Sequence, residues 1–294
     1  MKSEAPTQAN HGLPHGPALY LVATPIGNLE DITLRALRVL KEVSLIACED
    51  TRQTQKLLNH YSITTRTISY HEHNEMTRAA ELIVDLEQGL RMALVTDAGM
   101  PGISDPGFRL ITLAIRHHVP VIPIPGATAF LAALVASGLP TDSFRFSGFL
   151  PAKLGQRRAL LESVKDSPRT QVFYEARHRI VEALKDVVDT LGPQRPVVIA
   201  REVTKLHEEF LRGRASEVLE ILQSRGEIKG EITLILGKAD ESASQPAEAV
   251  ASVRQRLERM MEQEKLNEKA ALKKVAKEMG VSKSEAYREL QRSK

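Results

Sequence analysis

The sequence predicts an α/β fold: a parallel-sheet domain, then a mixed-sheet domain, then a small helical extension at the C-terminal end. Three observations predict it. From residue 18, short β-branched runs alternate with amphipathic stretches, the pattern of strand–helix units. Two runs, RMALVT (91–96) and VPVIPI (119–124), are near-continuous in apolar residues, as strands buried on both faces require. Beyond residue 249 the composition is almost wholly helix-forming.

In chain order, residues 1–17 read as a disordered tail without the apolar core of a signal peptide. ALYLVA (18–23) is the first strand, and Leu34, Leu37, Leu40 and Val43 mark one face of the helix after it. SLIAC (44–48) and TISY (67–70) are the next strands. Leu82, Ile83 and Leu86 stripe a helix that Gly89 ends. With the two apolar runs this closes a domain over 18–138. In 139–239, FRFSGF (144–149), TQVFYEA (170–176), RPVVIARE (195–202), HEEFLRG (207–213) and GEITLILG (230–237) read as strands, with helices near 153–165 and 178–190. Consecutive strands without intervening helices imply a mixed sheet. DESASQPAE (240–248) is a polar linker. Within 249–294, Gly280 separates two helical stretches, and Ser282 is a good N-cap for the second, so this segment resembles a helix-turn-helix unit.

Composition narrows the function classes. At 294 residues and 42% hydrophobic, the chain can bury a large core, and an aromatic share of 4% makes that core aliphatic. One cysteine, Cys48, excludes an internal disulfide and any multi-cysteine metal site, which points to a reducing, cytoplasmic compartment. No run approaches the roughly 18–20 apolar residues that span a bilayer. Net charge is +3, but residues 252–294 hold twelve Lys or Arg against seven Glu, so a basic end sits on a near-neutral body. Such an end suits a polyanionic partner.

Three Gly/Pro-rich loops follow strands of the first domain: Thr24-Pro25-Ile26-Gly27-Asn28, Asp97 to Gly107, and Pro125-Gly126-Ala127-Thr128. Ligands of open α/β sheets bind outside the carboxyl ends of strands, where these loops converge. Backbone-rich loops suit an adenosine-bearing cofactor. No G-x-G-x-x-G follows the first strand and no G-x-x-x-x-G-K-[ST] occurs, so dinucleotide-binding and P-loop readings are poor. A second, polar set also lies at strand ends: Glu49, Asp50 and Arg52; His71, His73 and Glu75; Tyr174 and Glu175; Arg201, Glu202 and Lys205. Such groups are candidates for acid–base work and phosphate contacts. His71 and His73 share a face but lack a third ligand, so no metal is expected.

In order along the chain, ATPIGNLEDIT, ACEDTRQT, SYHEHNE, VTDAGMPGISDPG, PIPGATA, GFLP, FYEARHR, REVTKLHEE and KGEITL resemble the ribosomal RNA small-subunit methyltransferase I family. That family lies within the tetrapyrrole-methylase superfamily, and the likeness spans residues 18–238. Met100 stands where a Thr is common. The resemblance implies the tetrapyrrole-methylase fold, two αβα domains with S-adenosylmethionine in the cleft between them, and a homodimer. It implies 2′-O-methylation of a cytidine ribose in small-subunit rRNA, free or in the assembled small ribosomal subunit. Carried onto this sequence, Pro25 and Gly27 border the cofactor. Asp97, Ala98, Gly99, Ile103, Ser104, Ala127 and Thr128 hold its amino acid and ribose, and Phe173 or Tyr174 faces its adenine.

Methyl transfer to a ribose hydroxyl needs positioning and a base for the leaving proton. Asp50 and Glu202, each beside an Arg at a strand end, lead the candidates, ahead of Glu49, His71 and His73. Arg52, Glu75, Arg201 and Lys205 are expected at the substrate, with Lys283 and Arg288 of the extension on RNA backbone. Interdomain salt bridges are the structural alternative for the Glu/Arg pairs, and packing on a dimer is that for the extension. A porphyrinoid methylase and a non-enzymatic RNA-binding assembly factor remain the other function classes.

Overall fold

The computed structural model describes residues 16–239, 257, 260, 261, 267–278 and 288. Residues through Ala239 belong to one compact unit and those from Asp240 to a second.

The first sheet comprises β1 (Ala18–Val22), β2 (Leu45–Cys48), β3 (Thr67–Ser69), β4 (Arg91–Val95) and β5 (Val121–Ile124), in the order β3-β2-β4-β1-β5. All its pairs are parallel. Both faces are covered, which is why its strands are apolar without alternation. Tyr20, Val22, Ile46 and Val95 pack against α1 (Leu34–Glu42) and α2 (Thr51–His60). Leu19, Ala47, Met92 and Leu94 face the other way, onto α3 (Glu75–Glu87) and α4 (Phe108–Arg116). The buried face of α1 includes Leu40 and Val43, with Leu37 partly buried against the same cluster, as the spacing predicts. Ala36 and Val39 join them, and Leu34, in the first turn after the Thr33 cap, is 85% exposed.

The second sheet runs β6-β7-β10-β8-β9, from β6 (Phe144–Phe149), β7 (Thr170–Glu175), β8 (Pro196–Arg201), β9 (Glu209–Arg214) and β10 (Ile232–Leu236). Only the β6–β7 pair is parallel, so the sheet is mixed as the strand spacing predicts. One face packs on α6 (Leu154–Ser163), α7 (Ile180–Leu191) and α8 (Ala215–Ser224), around Phe173, Leu184 and Leu234. The other packs on α5 (Ala129–Ser137) through Ala133 and Leu134. Thus α5 follows β5 in sequence but covers the second sheet. It ties the halves together at the level of the core. Arg212 fixes its C-terminal end by donating to the Ala136 and Ser137 carbonyls at 2.6 and 3.2 Å.

In the second unit, α9 (Glu268–Glu278) buries Ala271, Leu272, Val275 and Ala276 with Leu257, while Lys273 and Lys274 are exposed. This is one apolar stripe and one basic face. The Asn267 side chain accepts from the Ala270 N–H at 3.0 Å and starts the helix. The expected tail (1–15), linker (240–248), Gly280, Ser282 and Lys283 lie outside the described residues. Arg288 is helical and exposed.

Candidate active site

Loops from the carboxyl ends of the first sheet's strands and from strand ends along one edge of the second sheet line a cavity of about 410 Å³, within the range of small-molecule sites. The first sheet supplies Ile26, the stretch Ala98–Met100, Ile103 to Asp105, and Thr128. The second supplies Phe149, the stretch from Tyr174 to His178, Val203, and Gly230 to Thr233.

The loops that read as ligand-binding in sequence are held by each other. Thr24 and Gly99 form an isolated antiparallel bridge, with N–H···O distances of 2.9 and 3.1 Å. The Thr24 hydroxyl donates to the Thr96 carbonyl at 3.1 Å. Gly99 has φ +90°, a conformation that favours glycine. Pro25 is buried and is not among the residues that line the cavity, whereas Ile26 is. Gly27 is also outside the cavity. Its missing Cβ makes room for the Lys205 side chain, which crosses from the second half. Ala98, Gly99, Ile103, Ser104, Thr128 and Tyr174 line the cavity, as expected of them. Ala127 lines an adjoining depression with Thr128, and Asp97 is turned away to accept from the Asp50 N–H at 3.2 Å. Phe173 faces the opposite side of β7, wholly buried against α6 and α7, because neighbouring strand residues alternate faces. Only Tyr174 of that pair reaches the site.

The charged candidates divide sharply. Asp50 caps α2, accepting from the Arg52 N–H at 2.8 Å, and also pairs with the Arg52 guanidinium at 2.7 Å. Those hydrogen bonds hold its carboxyl down at about 2, far too acidic for a base near neutrality. Burial pushes Glu202 up, but the Glu231 N–H and the Lys205 ammonium, each at 2.9 Å, outweigh it and leave it lowered. Lys205 also pairs with Glu231 at 2.9 Å, and Arg201 with Glu209 at 3.0 Å. Asp50, Glu202, Arg52, Arg201 and Lys205 are thus each engaged in an ion pair, but every pair lies within one half of the chain rather than between the halves. His71 is hydrogen-bonded to Asn74, and its ring lies 5.9 Å from that of His73. Glu75 opens α3. None of these three lines the cavity. Among the described residues no group of three or more His, Cys, Asp or Glu could hold a metal.

Two further carboxylates stand at the cavity: Asp105, to which the sequence assigned no role within the 97–107 loop, and Glu175, which it placed among the charged groups at strand ends. Asp105 lines the cavity and has no cationic partner among the described residues. Burial, then the nearby Glu49 carboxylate, push it up from 3.8 to about 6 against a hydrogen bond from Thr96. Ser104, immediately before it, is held at φ +61°, the kind of strain that collects at working sites. Val203 reaches the cavity between two more left-handed residues, Glu202 (φ +52°) and Thr204 (φ +68°), with the Thr204 hydroxyl bonded to Asp31. The second residue is Glu175. Its buried carboxylate pairs with Arg179 at 2.7 Å and accepts from the Ala176 N–H at 2.6 Å, while Oε2 has no partner among the described residues. Glu175 lines the cavity, and a buried acceptor without a partner there fits a ligand with an N–H donor, such as an adenine amine. The apolar walls from Ile26, Ile103, Val203 and Ile232 fit its ring. Arg177 and His178 stand exposed at the same wall. Their place in FYEARHR, just past a strand end, was the available signal.

A cleft built from strand-end loops of a parallel and a mixed sheet is the arrangement of a tetrapyrrole methylase. The family model "Tetrapyrrole (Corrin/Porphyrin) Methylases" matches residues 18–219. A crystal structure of uroporphyrin-III C-methyltransferase from Thermus thermophilus, complexed with S-adenyl homocysteine, shares the fold. It has TM-score 0.53 and 24% identity, covering 76% of this chain and 98% of that one. The ribosomal RNA small subunit methyltransferase I of Halalkalibacterium halodurans is 50% identical over 92% of this chain and 93% of its own. That of Vibrio cholerae is 48% identical over 83% and 86%. The chain belongs to the ribosomal RNA small subunit methyltransferase I family of tetrapyrrole methylases.

Proposed function

We propose that the protein transfers a methyl group from S-adenosylmethionine to the 2′-hydroxyl of a cytidine ribose in small-subunit rRNA, in the cytoplasm. The observation that carries this reading is the coexistence, in one cavity, of backbone-lined loops and a carboxylate, Asp105, that has no cationic partner among the described residues. Membership of the family supports RNA as the acceptor. Bound in the cavity, S-adenosylmethionine supplies an electrophilic methyl whose transfer to oxygen breaks a carbon–sulfur bond and leaves a neutral thioether. The chain's own residues then have three tasks. Ala98 to Ser104 and Thr128 orient the cofactor, and Glu175 Oε2 accepts from its amine. Asp105 takes the ribose hydroxyl proton as the new bond forms. Arg177 contacts a flanking phosphate.

Methyl transfer from labelled cofactor, run side by side on isolated small subunits, free rRNA and tetrapyrrole precursors, tests the proposal. Label is expected in RNA as an alkali-resistant 2′-O-methylated nucleotide. Label in the tetrapyrrole alone would sink it.

The basic second unit adds RNA affinity, and the protein acts as a homodimer. For the first, the exposed Lys273 and Lys274 face of α9 speaks. For the second, α5 leaves Leu131 and Val135 exposed at 45% and 66%. Truncation after Ala239 is expected to weaken RNA binding and flatten its dependence on salt, by about one in slope per lost phosphate contact. The sedimenting mass should stay that of a dimer. Unchanged affinity and slope, or a monomer mass for the full chain, would contradict these assignments.

A further inference from the structure

The motif Gly148-Phe149-Leu150-Pro151 has so far no task. Strand β6 pairs in parallel with β7 through Phe144↔Thr170, Arg145↔Gln171 and Phe146↔Val172, and the next pair is Phe149↔Tyr174. Three residues on β6 thus oppose two on β7, a bulge. Gly148 carries it at φ +66°, and a side chain there would come within 3.4 Å of Ser104 Oγ. In an unbroken strand Phe149 would turn away from the face that Phe146 occupies. The bulge returns it to that face, and bulges beside active sites re-aim side chains in this way. Both rings now contact Tyr174, at 5.0 and 5.5 Å between centroids, and Phe146 stacks on Phe130 at 4.3 Å.

A backed aromatic wall results, in a chain with only seven Phe. Its inner members are shielded, yet Phe149 lines the cavity with 56% of its surface exposed. Apolar packing gives no reason to twist a strand so that a Phe faces water. A planar ligand does. Presenting a ribose hydroxyl from structured RNA requires the nucleotide to leave its stack, and unstacked bases are taken up on aromatic rings. The cofactor's adenine is served by the deeper apolar walls beside Glu175.

We propose that Phe149 is the stacking platform for the base of the RNA nucleotide whose ribose is methylated. This rests on the RNA reading above, and the test separates the two. On an rRNA fragment that the wild-type protein methylates, Phe149→Ala is expected to raise the RNA KM by about 5- to 150-fold, the range for one lost base–aromatic stack. Phe149→Trp should keep it near the wild-type value. Calorimetry should give both variants the wild-type affinity for S-adenosylmethionine. Weakened cofactor affinity with an unchanged RNA KM would assign the ring to adenine and overturn the proposal, as would no change in either. If the wild type methylates no RNA, the RNA reading itself fails, before any variant is made.

Discussion

Asp105→Asn is expected to lower kcat by about 10²- to 10⁴-fold, the usual contribution of a positioned base, with cofactor and RNA affinity retained. The pH profile gives the independent check. Asp105 works as the carboxylate, and its proton leaves near pH 6. The wild-type rate should therefore climb about tenfold per pH unit below that point and level off above it. Stability moves the opposite way. Burial and Glu49 raise the folded-state value above the ordinary 3.8, so the folded protein holds the proton more tightly than the unfolded chain. The ionised group consequently costs stability above about pH 6, and that cost fades as pH falls toward 4. The Asn variant should melt no lower than the wild type at pH 7.5, and the two should converge near pH 4. A variant with wild-type turnover would exclude Asp105 as base; a lower melting point at pH 7.5 would instead indicate a folding defect. Asp50→Asn serves as contrast. Its carboxyl is a helix cap held at about 2, so its loss should reduce stability and leave the pH profile in place.

The largest expected effect on stability is at Arg157. Its guanidinium and the Asp186 carboxylate are 3% and 4% exposed and 2.7 Å apart, tying α6 to α7. The same guanidinium donates to the Pro151 and Ala152 carbonyls at 3.4 and 3.3 Å. It thus also anchors the turn that follows Phe149. Arg157→Ala leaves a buried carboxylate with only the half-exposed Arg158 beside it, at 2.8 Å. Breaking such a pair costs about 3–5 kcal/mol, which corresponds to a melting point lower by roughly 6–20 °C for a chain of this size. The double variant Arg157→Met/Asp186→Leu should recover most of that loss, since no charge then remains buried. A single variant that melts within about 2 °C of the wild type would refute the assignment.

Legibility differs between elements for physical reasons. Strands β1, β2 and β4 were readable because burial on both faces leaves an unbroken apolar run. All five strands of the second sheet were found within two residues of their observed ends. The helices α2, α4, α5 and α8 were not singled out. In α5, AFLAALVAS is apolar all round and shows no period, since Ala133 and Leu134 pack inward while Leu131 and Val135 stay outside. At the site, Gly99, Ser104 and Thr128 were legible from Gly/Pro loops at strand ends, a local signal. The base proposed from the structure differs from the one expected from sequence for the converse reason. Asp50, Glu202 and Asp105 look alike as sequence, and only their partners separate them. Glu202 is paired with Lys205 and accepts from the Glu231 N–H, and Lys205 packs over Gly27, so residues of three segments meet there.

The sequence by itself determined the alternation of strands and helices, the parallel-then-mixed pairing, the family, and the loops at which a ligand is gripped. The family follows from the resemblance of its ordered motifs; the rest follow from nearest-neighbour periodicity and backbone preference, which each segment carries alone. The tertiary structure decided which carboxylate is pushed up toward neutral pH and which aromatic ring faces the cavity. Burial and Coulomb interaction depend on distance in space, and a bulge's effect depends on the strand beside it. No single segment contains that information.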